Sequence, residues 1–257
     1  MRAGGSPADA ARTASGANGR EDQERDRDPV DGFDGARAAA RAERTFAALP
    51  PARGGAFART WWGRAWLKAL EDTALDGEQL RRGRRHARAG AVGAVSVRPG
   101  RVTAVVRGTD RAAHRCDVLL REWTRTEWDR LLEVMADRAG HIAALLDRDM
   151  PPHLAEDAAA AGVDLLPGLG DLEPECACGE WDLCSHTAAL CYQVARLLDE
   201  DPFVLLLVRG RGERELLDEF EARSAARASR AQPRTAGPGT VPGAPAPRPA
   251  PRGVPAR

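Results

Sequence analysis

The chain has 257 residues, of which 43% are hydrophobic and 30% are charged, and its formal net charge is zero. No apolar run approaches the roughly 20 residues that cross a bilayer, and the N-terminus lacks the apolar segment of a signal peptide. We therefore expect a soluble, cytoplasmic protein with no membrane partner, in which the five cysteines are not paired in disulfides.

Composition divides the chain into three parts. Residues 1–55 are rich in Ala, Gly, Arg and Asp, and residues 221–257 consist largely of Ala, Pro, Arg and Gly. Because such segments bury too little apolar surface to offset the loss of chain entropy, we expect both to be disordered. We expect residues 56–220 to fold. Within them, residues 56–121 carry 14 basic and 6 acidic side chains, whereas residues 122–220 carry 8 basic and 22 acidic ones.

The predicted elements follow in the order two helices, three strands and five helices. Apolar residues at helical spacing indicate the helices, and β-rich runs bounded by turn residues indicate the strands. The predicted helices are 59–71, 76–88, 124–138, 141–147, 153–161, 185–198 and 202–208, and the predicted strands are 92–97, 101–107 and 114–120. The aromatic residues of the first helix favour core packing over a surface that stacks bases.

The second predicted helix contains the densest basic cluster of the chain. Together with two arginines of the predicted hairpin, its arginines are candidate contacts for nucleic-acid phosphates. The candidates are Arg81, Arg82, Arg84, Arg85, Arg88, Arg98 and Arg101. On a helix, this cluster is expected to spread over most of the surface. The alternative interpretation is a solvated face that pairs with Glu78.

Four residues of the acidic half have the spacing of a metal site, C-x-C-x₅-C-x-H. They are Cys176, Cys178, Cys184 and His186. Three thiolates and one imidazole form an established tetrahedral ligand set for structural zinc, and they leave no position for a catalytic water. In an extended segment, side chains two positions apart point to the same side, so the sulfurs of Cys176 and Cys178 could face one ion. Cys184 precedes a predicted helix, and the positive end of the helix dipole favours its thiolate form. We therefore predict one structural Zn²⁺.

Two other uses of these cysteines are a redox pair and buried free thiols. A disulfide between Cys176 and Cys178 would close a very tight ring, which disfavours the redox pair. The remaining cysteines, Cys116 and Cys191, are typical of small buried hydrophobes. For Cys191, seven residues after Cys184 on the same helix face, a role as a fifth ligand is the alternative. No role is predicted for His114, because it has no partner at ligand spacing.

The segment EPECACGEWDLCSHTAALCYQVARLLDEDPF resembles the SWIM zinc finger in its bacterial form. The resemblance extends upstream through TWWGRAW, RRGRRHARAGAVGAVSVRPG and AGVDLLPGLGDLEPE, and it covers roughly residues 56–210. It places the finger at about residues 165–199 and implies zinc binding with contacts to DNA or protein, often beside a Swi/Snf-type helicase. Two features depart from the family pattern: the short spacer of five residues, and Ser185 where lysine is common.

These patterns predict an α+β protein in which a basic helix–hairpin lobe precedes a mostly helical lobe with a small zinc-stapled module. Nine acidic residues and no Lys or Arg lie between Arg148 and Arg196, so the finger should repel phosphate. We therefore predict an adaptor that binds a protein partner, such as a Swi/Snf-type helicase, in a DNA-associated complex. Direct binding of DNA or RNA, through the basic segments or the finger itself, is the alternative.

Trp181 lies inside the finger loop, where it either anchors the protein partner or shields the metal's sulfurs. The sequence contains no P-loop, dinucleotide-binding, nucleophile-elbow or zinc-protease motif. We therefore predict neither catalysis nor a small-molecule substrate.

Overall fold

The computed structural model describes residues 42–52, 54–109, 111–180 and 182–231. The strands are β1 (Arg44–Phe46), β2 (Val92–Arg98), β3 (Arg101–Arg107), β4 (Ala113–Leu119) and β5 (Glu173–Cys176). The helices are α1 (Trp61–Thr73), α2 (Gly77–Arg88), α3 (Arg125–Asp137), α4 (Ala139–Leu146), α5 (Pro152–Ala160), α6 (Ser185–Glu200), α7 (Phe203–Val208) and α8 (Glu213–Ala231). The predicted α+β class is confirmed, and all predicted helices and strands are present with ends shifted by at most two residues.

The folded part extends further in both directions than the predicted range of 56–220. Strand β1 pairs with β2, and Arg44 forms a 2.7 Å ion pair with Asp201, which is distant in sequence. Helix α8 continues to residue 231 because Leu216 is buried and Arg227 forms ion pairs with acidic residues of α3. Residues 1–41 and 232–257, for which we predicted disorder, lie outside the described residues.

The five strands form one antiparallel sheet in the order β1-β2-β3-β4-β5, and one face of it packs against α6. Alternate residues of β2 and β3 point to this helix and are buried, whereas their neighbours are half-buried or exposed. Helices α1 and α2 also pack against α6, and Trp62 and Trp66 of α1 are buried in the same core, as predicted. The basic and acidic halves of the sequence thus share one hydrophobic core instead of forming separate lobes.

Strand β5 is a short edge strand that lies beside β4. Pro174 lies opposite Val118 of β4, in a pair of residues that exchange no hydrogen bonds with each other. The missing N–H of the proline therefore costs no hydrogen bond in the sheet. The pair formed by Cys116 and Cys176, two residues along, belongs to the same class. The backbone bond of 2.9 Å from the N–H of Ala177 to the carbonyl oxygen of Arg115 agrees with this alternation. Residues in such pairs have Cα atoms only about 4.5 Å apart, so the two cysteine side chains are neighbours.

Within the described part of the chain, no helix is both long and apolar enough to cross a membrane.

Candidate metal centre

Four side chains from β5, the following loop and the start of α6 converge on one point. The donor atoms of Cys176, Cys178, Cys184 and His186 all lie within 4.8 Å of one another. In a tetrahedral zinc site, donors on neighbouring corners are about 3.6 to 3.8 Å apart, as follows from the metal–ligand bond lengths. Nδ1 of His186 lies 3.8 Å from the Cys184 sulfur and 3.9 Å from the Cys176 sulfur. The four residues could therefore hold one metal ion after movements of about 1 Å.

A tight turn folds Cys178 back towards Cys176. The N–H of Gly179 donates to the carbonyl oxygen of Cys176 at 3.4 Å, and Gly179 has a φ of 84°, which glycine adopts without strain. The N–H of Cys178 donates to the Cys176 sulfur at 3.5 Å. The predicted extended segment is thus present at Cys176, the last residue of β5, whereas Cys178 lies in the turn that follows.

Cys184 is the N-cap residue of α6. The backbone N–H of Thr187 donates to its sulfur at 3.5 Å, and the Thr187 hydroxyl lies 3.4 Å from the same sulfur. Burial alone would raise the pKa of Cys184, but the hydrogen bonds from Thr187 and from the other two ligand cysteines outweigh it and lower the pKa. The thiolate form, which a metal ligand must take, is therefore favoured at this position.

Helix α2 packs directly against the start of α6, where two of the four ligands lie. Oε1 of Gln79 accepts a hydrogen bond of 3.0 Å from the N–H of Ser185, one of the donors that a helix start leaves without a partner in the helix. A Cβ atom on Gly83 would lie 2.5 Å from Cβ of Ala188 and 2.9 Å from the carbonyl oxygen of Ser185. The basic helix therefore flanks the metal centre, which the charge pattern along the sequence did not predict.

Two further histidines contact the imidazole of His186. The ring of His114 on β4 stacks on it with centroids 4.3 Å apart, and the ring of His86 on α2 lies at 5.6 Å. Burial, followed by the charges of two α2 arginines, lowers the pKa of His86 and keeps its ring neutral. No metal role was predicted for these residues. The one signal in the sequence was the spacing of His114 and Cys116, which places both on the same face of β4.

Cys116 is fully buried, as predicted, but it lies against the metal centre. Its sulfur is 3.5 Å from the Cys176 sulfur. Burial raises the pKa of Cys116 to about 12 and also raises the pKa of Cys176, so Cys116 remains a neutral thiol and either sulfur can donate to the other. Cys191 is also buried, and burial raises its pKa, which agrees with the predicted role of a small hydrophobe.

Five of the predicted phosphate contacts form one face of α2, opposite its buried residues Gly83 and Ala87. The expectation that they spread over most of the helix was wrong, because positions three and four apart fall on the same side. This arginine face comprises Arg81, Arg82, Arg84, Arg85 and Arg88. The carboxylate of Glu78 lies within 3.4 Å of three of them, Arg81, Arg82 and Arg85. One negative charge shared by three guanidinium groups leaves a positive surplus.

The other two arginines of this face are held by protein groups. Arg84 donates to Glu71 at 3.0 Å and to the hydroxyl of Tyr192 at 3.1 Å, and Arg88 donates to the carbonyl oxygen of Gly55 at 3.0 Å. Their guanidinium groups also lie over aromatic rings. Arg81, Arg82 and Arg85 are therefore the members best placed to contact a ligand.

Arg98 and Arg101 lie apart from the arginine face. They flank the β2–β3 turn, and β2 runs for seven residues from the end near α2 to this turn, a distance of about 20 Å. Arg101 is 3.5 Å from both Asp117 and Glu175, so two carboxylates neutralise it. The predicted set of seven arginines thus does not form one surface. Trp181, predicted either to anchor a protein partner or to shield the sulfurs, lies outside the described residues.

The chain is similar to an uncharacterized protein of Mycobacterium tuberculosis, Rv2102, with 36% identity over 181 residues. The alignment covers 70% of this chain and 64% of that relative's length, which is less than two thirds. No family model and no solved structure matches the chain. The resemblance to SWIM proteins therefore rests on the sequence segments quoted above, and the cluster of three cysteines and one histidine is compatible with a zinc finger.

Proposed function

We propose that the protein is a non-enzymatic, SWIM-type zinc-binding protein whose structural Zn²⁺ fixes a basic helix for contact with nucleic-acid phosphates. The donor set supports zinc, because three thiolates and one imidazole at these distances suit its tetrahedral preference. Four protein donors would fill that tetrahedron and leave no position for a reacting water. The ion would then supply stability and not catalysis.

The nucleic-acid part of the proposal is carried by one observation. Three guanidinium groups that share the Glu78 carboxylate lie on a helix that packs against the metal-binding start of α6. A row of exposed arginines with surplus positive charge suits contact with phosphates.

The acidic residues around the finger oppose this proposal less than their number suggests. Glu175, directly before the first ligand, lies 3.5 Å from Arg101. The carboxylate of Asp171 accepts a hydrogen bond of 2.9 Å from the N–H of Gly168. In space, the nearest neighbour of the metal centre on one side is the basic helix α2. The basic helix α2 and Arg101 therefore offset part of the negative charge that surrounds the finger in the sequence.

Elemental analysis of the purified full chain tests the metal. We expect about one zinc per chain in the wild type and less than half an equivalent in Cys184→Ser and in His186→Ala. Cys191→Ser removes a buried thiol outside the ligand set and should keep its zinc. A wild type with less than half an equivalent, or ligand variants with full zinc content, would contradict the proposal.

Binding of duplex DNA and of single-stranded RNA, measured at several salt concentrations, tests the arginine face. The triple variant Arg81→Ala/Arg82→Ala/Arg85→Ala should bind at least tenfold more weakly, and its salt slope should fall by about 2 to 3. A control with the same loss of charge changes exposed arginines elsewhere, Arg125→Ala/Arg130→Ala/Arg214→Ala. Equal losses in the two triple variants, or no loss in either, would refute a specific role for α2.

A second candidate function, docking to a protein partner, is favoured by an exposed apolar pair. Leu75 and Leu169 are 81% and 72% exposed, and the N–H of Gly170 donates to the Thr73 hydroxyl at 3.1 Å, which brings their two loops together. The SWIM resemblance suggests a Swi/Snf-type helicase as the partner. Capture of purified helicase should weaken in Leu75→Ser/Leu169→Ser but not in Leu146→Ser, and equal capture by all three proteins would exclude this surface.

A further inference from the structure

We infer that Cys116 and Cys176 form an oxidation site, in which a disulfide between the two residues withdraws Cys176 from the metal. Cys116, which lies outside the ligand set, would thereby have a function of its own. Its metal-release step rests on the zinc site proposed above, whereas the formation of the disulfide does not.

The backbone places the two cysteines at the separation that a disulfide needs. Cys116 and Cys176 lie directly opposite each other on β4 and β5, in a pair without mutual hydrogen bonds. The Cα spacing of such pairs, about 4.5 Å, falls at the short end of the range for disulfides. Their sulfurs are 3.5 Å apart, in contact, so side-chain rotation could join them without moving either strand.

The alternative disulfide within the finger is less favourable. Cys178 lies two residues after Cys176 in a tight turn, where a disulfide would close a strained ring. Cys116 instead faces Cys176 from a neighbouring strand, and both strands are held in register by the sheet.

The accessibility of the two sulfurs sets the order of the reaction. Cys176 is partly exposed, whereas Cys116 is fully buried behind it. Between these two residues, hydrogen peroxide would therefore react with Cys176 before Cys116, giving a sulfenic acid and one water. The sulfur of Cys116 then attacks this sulfenic sulfur, the S–S bond forms, and the hydroxyl leaves with the Cys116 proton as a second water. Two thiols lose two electrons in total, and one peroxide is reduced to two waters.

The disulfide would leave three of the four donors for the metal. Loss of one thiolate from a tetrahedral set weakens zinc binding strongly, so the ion should be released. Reduction of the disulfide would restore the site. The oxidation state of the Cys116–Cys176 pair would thus control whether a metal ion connects β5 to the start of α6, against which α2 packs.

Mass spectrometry of the full chain after treatment with a few equivalents of hydrogen peroxide tests the linkage. No Lys or Arg lies between Arg148 and Arg196, so trypsin should give residues 116–121 joined to residues 149–196. Cleavage after Glu175 and Glu180 isolates residues 176–180, and fragmentation then distinguishes Cys176 from Cys178. We expect this linked species as the first disulfide formed, together with zinc release that a chromogenic chelator reports and that dithiothreitol with added zinc reverses.

Two matched variants make the test decisive. Cys116→Ser keeps all four ligands, so it should bind zinc but release it at least about fivefold more slowly with peroxide, because the partner thiol is missing. Cys191→Ser should behave like the wild type. Release from Cys116→Ser at the wild-type rate, or a first disulfide that lacks residues 116–121, would overturn the inference. Absence of zinc from the untreated wild type would refute the proposed function alone, since the linkage is still read from the peptides.

Discussion

Gly83 sets the distance between the basic helix α2 and the start of α6, which carries Cys184 and His186, so Gly83→Ala should destabilise the protein. At an exposed helical position this change stabilises by about 1 kcal/mol. Here the new Cβ would lie 2.5 Å from Cβ of Ala188, 2.9 Å from the carbonyl oxygen of Ser185 and 3.0 Å from the backbone nitrogen of Ala189. Backbone atoms cannot move aside by a rotamer change, so the two helices must separate by about 1 Å.

Overpacking of this kind costs about 3 kcal/mol at the upper end of its usual range. After subtraction of the gain in helix propensity, the free energy of unfolding should fall by about 2 kcal/mol. For a folded region of this size, that loss corresponds to a decrease in Tm of about 4 to 8 °C. Urea denaturation of the zinc-saturated protein measures the first quantity, and thermal denaturation measures the second.

Gly77→Ala in the same helix is the matched control. The nearest atom to its new Cβ is Nη1 of Arg81, at 4.0 Å, so the variant should be as stable as the wild type or up to about 1 kcal/mol more stable. Because His186 lies in the displaced turn, Gly83→Ala should also bind zinc more weakly in a chelator competition. Equal stability of Gly83→Ala and Gly77→Ala would show that the contact between α2 and α6 does not constrain the site.

Three further measurements check other parts of the structure. Asp199→Ala should lower the free energy of unfolding, measured in urea, by about 3 kcal/mol. The largely buried Asp199 carboxylate accepts hydrogen bonds from backbone N–H groups at the start of α1. Glu200→Ala, at the exposed neighbouring position, should change the stability little. The side-chain bond from Arg121 holds the pKa of Glu127 at about 2, so its stabilising effect is present above pH 4.5 and is lost as the pH falls towards 2. Between pH 5 and pH 2, unfolding measurements should therefore show a larger stability loss in the wild type than in Glu127→Gln. Removal of zinc with a chelator should lower the free energy of unfolding by several kcal/mol, and hydrogen exchange should then accelerate most in β5 and the first turn of α6.

The elements that local chemistry determines could be predicted from the sequence. Thr124 caps α3, and the Glu127 side chain bonds back to the cap, which is a capping box that four consecutive residues define. Strand β1 could not be predicted in this way. It has three residues, and the 2.7 Å ion pair from Arg44 reaches Asp201, so its stability comes from contacts that are distant along the chain.

The cluster of three cysteines and one histidine could be predicted because zinc chemistry restricts the types and spacing of ligands, whereas the surroundings of the cluster could not. The charge pattern along the chain placed the finger among acidic residues and far from the arginines of α2. The fold instead brings α2 onto α6, where Gln79 meets Ser185, and brings Arg101 to Glu175. Charge counted over a sequence window describes the electrostatics of a site only where neighbours in sequence are also neighbours in space.

The position of the metal centre indicates why a structural ion would be needed there. Strand β5 has four residues, one of them Pro174, so it can form few backbone hydrogen bonds with β4. The start of α6 has N–H groups without partners in the helix, and Gln79 satisfies one of them. A metal ion bound to residues of β5 and α6 would connect the end of β5 to the start of α6, each of which has few hydrogen bonds of its own. Because α2 rests on the first turns of α6 through Gly83, release of this end of α6 should also disturb the position of the arginine face. Loss of the metal should therefore also weaken nucleic-acid binding, whereas loss of the arginines should leave the zinc content unchanged.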